Sequence, residues 1–205
     1  MYELGSDFES ATVEPGTNLL VSGPAINGKR RLAFESLAQG ANNGEGSVII
    51  TTRDSSNRVT TDYHSLVDEP SDAHIGIVDC VTQHQGRSVS DTSIVKHASS
   101  PTDMTGIGIK FSEFLEEFYS DRGITKNRIV MDSLSTLLMY SDVQTVFRFM
   151  HVLTSRIEDA DAIGLVIIDS TAHDAEDINT LKQLFDGIVD VDEAGDVTLQ
   201  LSRTA

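Results

Sequence analysis

The sequence predicts an α/β fold: a mostly parallel, twisted sheet with helices on both faces and a β-hairpin at its C-terminal end. Three observations lead there. Short runs such as Ser47-Val48-Ile49-Ile50-Thr51-Thr52 are rich in β-branched residues and lack alternation, the mark of strands buried on both faces. Longer stretches with helical periodicity separate them, and strands that alternate with helices build parallel sheets. The last two apolar runs flank Glu193-Ala194-Gly195-Asp196, a hairpin turn.

Taken in order, residues 1–17 are a polar lead-in that ends in the turn Glu14-Pro15-Gly16-Thr17 before a first strand at 19–22. A helix over 29–41 offers Leu32, Phe34, Leu37 and Ala38 for burial and stops at Asn42-Asn43-Gly44, where glycine suits a left-handed cap. After the strand at 47–52, Ser55-Ser56 caps a helix that ends near Val67, and the loop Asp68-Glu69-Pro70-Ser71-Asp72 leads to a strand at 74–79. Residues 82–108 read as a polar insertion or loop with one short strand at 93–96; a long segment of this kind inside an α/β domain is more often functional than inert. Helix resumes over 110–122, where Phe111, Phe114, Leu115 and Phe118 share a face. The strand at 128–133 ends in an acid. A helix over 142–159 follows, with Val143, Val146, Phe147, Met150 and Leu153 as its core stripe, then a strand at 163–168 and a helix over 175–185. Strands at 187–192 and 197–201 close the hairpin. With no internal repeat, residues 1–205 read as a single domain long enough to bury a core.

Charge restricts the setting. The chain holds 32 acidic against 15 basic residues, with 20 Asp but only 5 Lys, for a net of −17. Such a chain repels itself at low salt, whereas at roughly molar ionic strength the Debye length falls to about 3 Å and the penalty largely disappears. The expectation is a halophile, an archaeon that accumulates salt. No basic stripe is visible, so nucleic acid is not an expected partner. No apolar run approaches the roughly 20 residues of a membrane span, and the N-terminus has no signal pattern, so a cytoplasmic location is expected. Cys80 is the only cysteine, which excludes an internal disulfide and reads as a small core residue at a strand end.

The chemistry gathers between the first strand and the first helix. Gly23, Pro24, Ala25, Ile26, Asn27, Gly28 and Lys29 form a loop with two glycines five apart and a lysine, the layout of a phosphate-binding P-loop. In that motif the lysine reaches the β- and γ-phosphates and the next residue, a Ser or Thr, ligates Mg²⁺. Here that position is Arg30, a donor-only group that cannot ligate a cation. Phosphate binding through Lys29 and the N–H groups of the helix start does not need that hydroxyl, so the change bears on the metal site. A plain strand-turn-helix junction is the alternative. Arg30 and Arg31 are either solvated residues of the first helix turn, or Arg30 replaces the charge of Mg²⁺ against the phosphates and allows metal-independent binding. Ligands of open parallel sheets gather at the carboxyl ends of the strands, where Arg53-Asp54 and Asp132-Ser133 also fall. Asp132 closes a buried apolar strand, read as lying beside the loop's strand, and is the candidate to hold Mg²⁺ through water.

Together these residues resemble the RecA superfamily and, within it, the KaiC-like ATPases of archaea, over nearly the whole chain. Asn18-Leu19-Leu20-Val21-Ser22-Gly23-Pro24-Ala25 matches that family's entry into its P-loop, and Ile129-Val130-Met131-Asp132-Ser133-Leu134-Ser135 resembles its Walker B segment. Phe185-Asp186-Gly187-Ile188-Val189 is similar to its C-terminal end, and the segment from Ser99 to Ile109 resembles one in haloarchaeal members. The resemblance implies a RecA-like P-loop NTPase fold, ATP in the loop, and rings or filaments with nucleotide between subunits, hence a protein partner or a homo-oligomer. There are departures. The family has Gly at Ile26, and Thr or Ser at both Asn27 and Arg30. Its catalytic Glu after the second strand is missing from Thr52-Arg53-Asp54-Ser55, where Asp54 substitutes only if its shorter side chain reaches the water. Only Arg203 is available for the basic residue of its last strand.

Losing the metal hydroxyl and the catalytic acid harms phosphoryl transfer far more than binding. The leading reading is a degenerate, regulatory nucleotide-binding protein, at most a weak ATPase. Two others stay open: a Mg²⁺-dependent ATPase that uses Asp54 and Asp132, and an interaction module in signal transduction that kept the fold and lost the nucleotide.

Overall fold

The structure, a computed structural model, describes residues 1–8, 10–25 and 28–202. Eight strands form the main sheet: β3 (Asn18–Gly23), β4 (Gly46–Thr51), β5 (His74–Asp79), β6 (Val95–His97), β7 (Asn127–Asp132), β8 (Ile163–Asp169), β9 (Gly187–Val191) and β10 (Val197–Leu201). Two short strands, β1 (Tyr2–Glu3) and β2 (Thr12–Val13), pair antiparallel as a separate ribbon. The helices are α1 (Lys29–Asn42), α2 (Ser56–His64), α3 (Met104–Glu116), α4 (Leu134–Tyr140), α5 (Val143–Asp159) and α6 (Ala175–Lys182).

The sheet runs in the order β10-β9-β3-β8-β7-β4-β5-β6, parallel throughout except for the β9–β10 hairpin. Every residue of β3, β4 and β7 is buried, which is why these runs do not alternate. Successive side chains leave opposite faces. Leu19, Val21, Ile49 and Val130 pack with α1, α2 and the N-terminal ribbon; Leu20, Ile50, Met131 and Ile168 pack with α3 to α6. The pairing aligns Gly23 with Asp169 and Thr51 with Asp132, so the carboxyl ends of these strands share one edge. Among the described residues no helix is long and apolar enough to cross a membrane.

Three local expectations are corrected. The polar lead-in 1–17 buries Tyr2, Leu4, Phe8 and Val13, and the Tyr2 hydroxyl donates to the Asp161 carbonyl at 2.8 Å. The short strand expected at 93–96 is present as β6, Val95–His97, but the segment 82–108 does not run as loop to its end: α3 begins at Met104, not 110, because the Asp103 carboxylate caps it, accepting the Gly106 N–H at 2.9 Å. That helix then continues through one π-helical turn, Glu117–Asp121. Helix α4, between β7 and α5, has no counterpart in the sequence reading.

Two buried polar features sit away from the loop. Arg128 of β7 donates to Glu45 at 2.6 Å, to the Glu3 carbonyl at 2.7 Å and to the Ser36 carbonyl at 2.9 Å. It lies against Gly40 of α1, where a Cβ would stand 2.7 Å from Arg128 Cδ. At the end of β5, Asp79 accepts the N–H groups of Ser56, Val81 and Thr82 and the Thr82 hydroxyl at 2.6–2.9 Å. Cys80, next along the chain, is fully buried.

Candidate functional site

The loop leaves β3 at Gly23 and enters α1 through Gly28, whose φ of 89° is a left-handed conformation that glycine adopts freely. Pro24 is half-buried and Ala25 exposed; Ile26 and Asn27 lie outside the described residues, as does Arg203. Lys29 is buried and folds back over the loop. Its ammonium donates to the Gly23 carbonyl at 2.8 Å and to the Pro24 carbonyl. Burial holds its pKa below the ordinary lysine value, Asp169 and Asp132 pull it up, and Arg53 adds to the lowering.

Arg30 does not project into solvent. Its Nε lies 2.8 Å from Asp132 Oδ2, and its Nη1 lies 2.8 Å from Asp62 Oδ2 and 3.3 Å from Asp54 Oδ2. The guanidinium is also 4.8 Å from the centre of the Phe34 ring, a cation–π distance. One turn of α1 thus places a fixed cation among three carboxylates drawn from β7, α2 and the loop after β4. Arg58 approaches Asp54 and Asp62 from outside at 3.8 Å, and Arg53 reaches Asp132 Oδ1 at 3.9 Å. Asp132 has no exposure. Its contact with Arg30 is close but not aligned as a hydrogen bond, since neither Asp132 oxygen has a hydrogen-bond partner. Burial accordingly holds the Asp132 pKa above the ordinary range, against the opposing pull of Arg30 and Arg53. Backbone and Thr52 fix its position: the Thr52 N–H donates to the Asp132 carbonyl, and the Thr52 hydroxyl both accepts the Ser133 N–H and donates to the Ser133 carbonyl, all at 2.8 Å.

The structure therefore gathers Gly23, Gly28, Lys29, Arg30, Asp54 and Asp132 at one edge. Arg31 it does not bring in: that side chain is exposed and pairs with Glu35 at 2.6 Å, one turn further along α1. The strand ending in Asp132 is also not the neighbour of β3. Strand β8 stands between them and brings Asp169 to the loop, where the Ser170 N–H donates to the Gly23 carbonyl at 2.9 Å. Burial raises the Asp169 pKa, but the Thr171 hydroxyl and N–H, with Lys29 and His173, outweigh it and leave the carboxyl below its usual range. Sequence reasoning missed Asp169 and Asp62. The first carried the signal used for Asp132, an apolar strand closing in an acid; the second had none, because only the packing of α2 beside α1 brings it to Arg30.

The donor set does not suit Mg²⁺. Arg30 occupies the hydroxyl position, its charge already lies among the carboxylates that would hold the ion, and no three His, Cys, Asp or Glu side chains of the described residues form a metal-holding group. Anionic oxygen is better matched: the N-terminus of α1, the Lys29 ammonium and the exposed Arg53 all present positive charge at this edge.

A model of a family of unknown function, DUF7504, matches residues 16–191. The chain belongs to the DUF7504 family. No curated protein is significantly similar to it. Among solved structures, this DUF7504 chain is similar to a KaiC-like protein of the hyperthermophilic archaeon Pyrococcus horikoshii OT3, at 14% identity and a TM-score of 0.62 over 99% of this chain and 85% of the other. It is similar also to an uncharacterised P. horikoshii protein solved in complex with an unknown peptide, at 11% identity and a TM-score of 0.68 over 96% and 87%. At such identities the likeness is one of fold. The DUF7504 chain has the α/β fold of KaiC-like, RecA-type proteins, C-terminal hairpin included.

Proposed function

We propose that this chain is a regulatory RecA-fold protein whose loop at Gly23–Arg31 holds nucleotide phosphate without Mg²⁺ and which turns ATP over slowly or not at all. The observation that carries this reading is Arg30 among Asp54, Asp62 and Asp132. Phosphoryl transfer needs a metal to neutralise developing charge and an acid to position the attacking water. Here the acid that closes β7 and the one acid near the expected base position both face a guanidinium. Lys29 and the helix start keep their phosphate-binding chemistry. Nη2 of Arg30, buried and without a hydrogen-bond partner, is a donor that a phosphate oxygen would satisfy. The net charge of −17 supports a salt-accumulating cell as its setting, and the reading takes the chain as a single cytoplasmic domain that acts with a protein partner or a second copy.

The test is calorimetric titration of the purified protein with ATP in multimolar KCl, with Mg²⁺ and with EDTA. Binding that survives EDTA and disappears in Lys29→Ala is expected, with no multiple turnover. Binding that requires Mg²⁺, with turnover lost in Asp132→Asn, would replace this reading with a true ATPase. Absence of binding in both conditions would leave an interaction module built on the fold.

A further inference from the structure

On the face of the sheet opposite α1, helices α3 and α5 enclose an open groove of about 380 Å³. Its apolar part is formed by Ile109, Phe149 and Val152, and Ile109 and Val152 are each 51% exposed. Arg148, Val152 and Arg156 follow one another at i, i+4 and i+8, a single row along α5. The two arginines flank the valine about 12 Å apart at the helical rise of 1.5 Å per residue. Arg156 is anchored across the groove, its Nη1 donating to the Gly108 carbonyl and to the Ser112 hydroxyl, both at 2.7 Å. Among the described residues no acid lines the groove, in a chain where acids outnumber bases 32 to 15. Its floor on the α3 side comes from the end of the 82–108 segment, which the phosphate loop on the other face does not use.

We infer that this groove is a docking site for an amphipathic helix of a partner protein, one that presents an apolar residue between two carboxylates spaced two turns apart. The apolar centre excludes water. The flanking arginines offer planar, donor-rich partners for carboxylates and reject a basic segment. The occupant is chosen by charge: a positive row on an acidic protein has no use against a neutral or basic helix. The site is independent of nucleotide, so it stands whether or not ATP binds.

The experiment is selection of a displayed library of random 16-residue peptides against the folded full chain, followed by affinity measurement on the winners. Enriched sequences are expected to carry Asp or Glu about eight residues apart with a large apolar residue between them. Their affinity should fall at least about tenfold in Val152→Glu and in Arg148→Glu, as for central anchors of small interfaces. Both variants change exposed side chains and should melt with the wild type, which separates lost docking from lost folding. No enrichment, enrichment of basic sequences, or winners insensitive to both variants would overturn the inference. A homodimer in sedimentation that Val152→Glu dissolves would also overturn it, by giving the face to a second copy.

Discussion

Arg30 Nε lies 2.8 Å from Oδ2 of Asp132, a carboxylate with no exposure to water. The pair is the chief electrostatic compensation for that buried charge. Removing one partner of such a pair costs about 3–5 kcal/mol, while removing both is far cheaper. Arg30→Met is therefore expected to lower unfolding free energy by about 3 kcal/mol in denaturant titration, and Arg30→Met with Asp132→Asn to recover most of the loss. Strictly additive effects would show that the two side chains do not compensate each other.

The same cage decides how the protein responds to divalent ions. In the wild type Mg²⁺ should change the melting temperature no more than an equal ionic strength of KCl. Arg30→Thr restores a hydroxyl and frees three carboxylates, and should gain a Mg²⁺-specific stabilisation of about 2.7 kcal/mol when the ion is at a hundred times its dissociation constant. Calorimetric titration with MgCl₂ and EDTA reversal checks this. Equal responses in both proteins would mean that Arg30 does not guard the site.

Asp79 gives the pH dependence a definite sign. Burial pushes its pKa up, but the Thr82 hydroxyl and the three N–H groups outweigh this and hold it below the ordinary value. A carboxyl whose folded pKa is depressed adds stability above its unfolded value near about 4 and loses it as the pH falls through the folded value. Asp79→Asn should cost about 2–3 kcal/mol at neutral pH, and the gap to wild type should narrow steadily below about pH 4. A gap that stays constant in acid would remove the charge from this account.

Gly40 should not tolerate a methyl group. Alanine is favoured over glycine in a helix by about 1 kcal/mol, yet a Cβ here meets Arg128 Cδ at 2.7 Å and Glu45 Oε2 at 2.8 Å. Both atoms belong to a buried ion pair with no room to retreat. Gly40→Ala is expected to destabilise by about 1–3 kcal/mol in thermal or chemical unfolding, the opposite sign to its helix propensity.

What could be read beforehand was whatever local chemistry determines. The apolar runs that became β5 and β10 were placed residue for residue, and the strand-loop-helix around Gly23, Gly28 and Lys29 was legible because glycine, lysine and apolar period all act within a few residues. What escaped depends on distant parts of the chain. The β1–β2 ribbon is held by contacts such as Tyr2 with Asp161, so two-residue strands left no pattern. Gly106 and Gly108 hid the first turns of α3, which Asp103 caps. Helix α4 is a seven-residue apolar run too short to show a period. Arg30 was identified as the anomaly, read as either solvated or set against phosphate, but its protein partners were not: it faces Asp54, Asp62 and Asp132, one of them supplied by a helix whose position no local signal gives.

Cys80 makes the folded chain its own clock. Burial first, then the charges of Asp79 and Asp103, push its thiol far above the ordinary cysteine range, so almost no thiolate exists and no reagent reaches it in the closed state. As the only thiol in the sequence, it gives one signal from one position at the heart of the sheet edge. The rate at which an alkylating dye marks it therefore counts openings of β5, and a bound nucleotide or peptide that slows that count reveals itself without any label of its own.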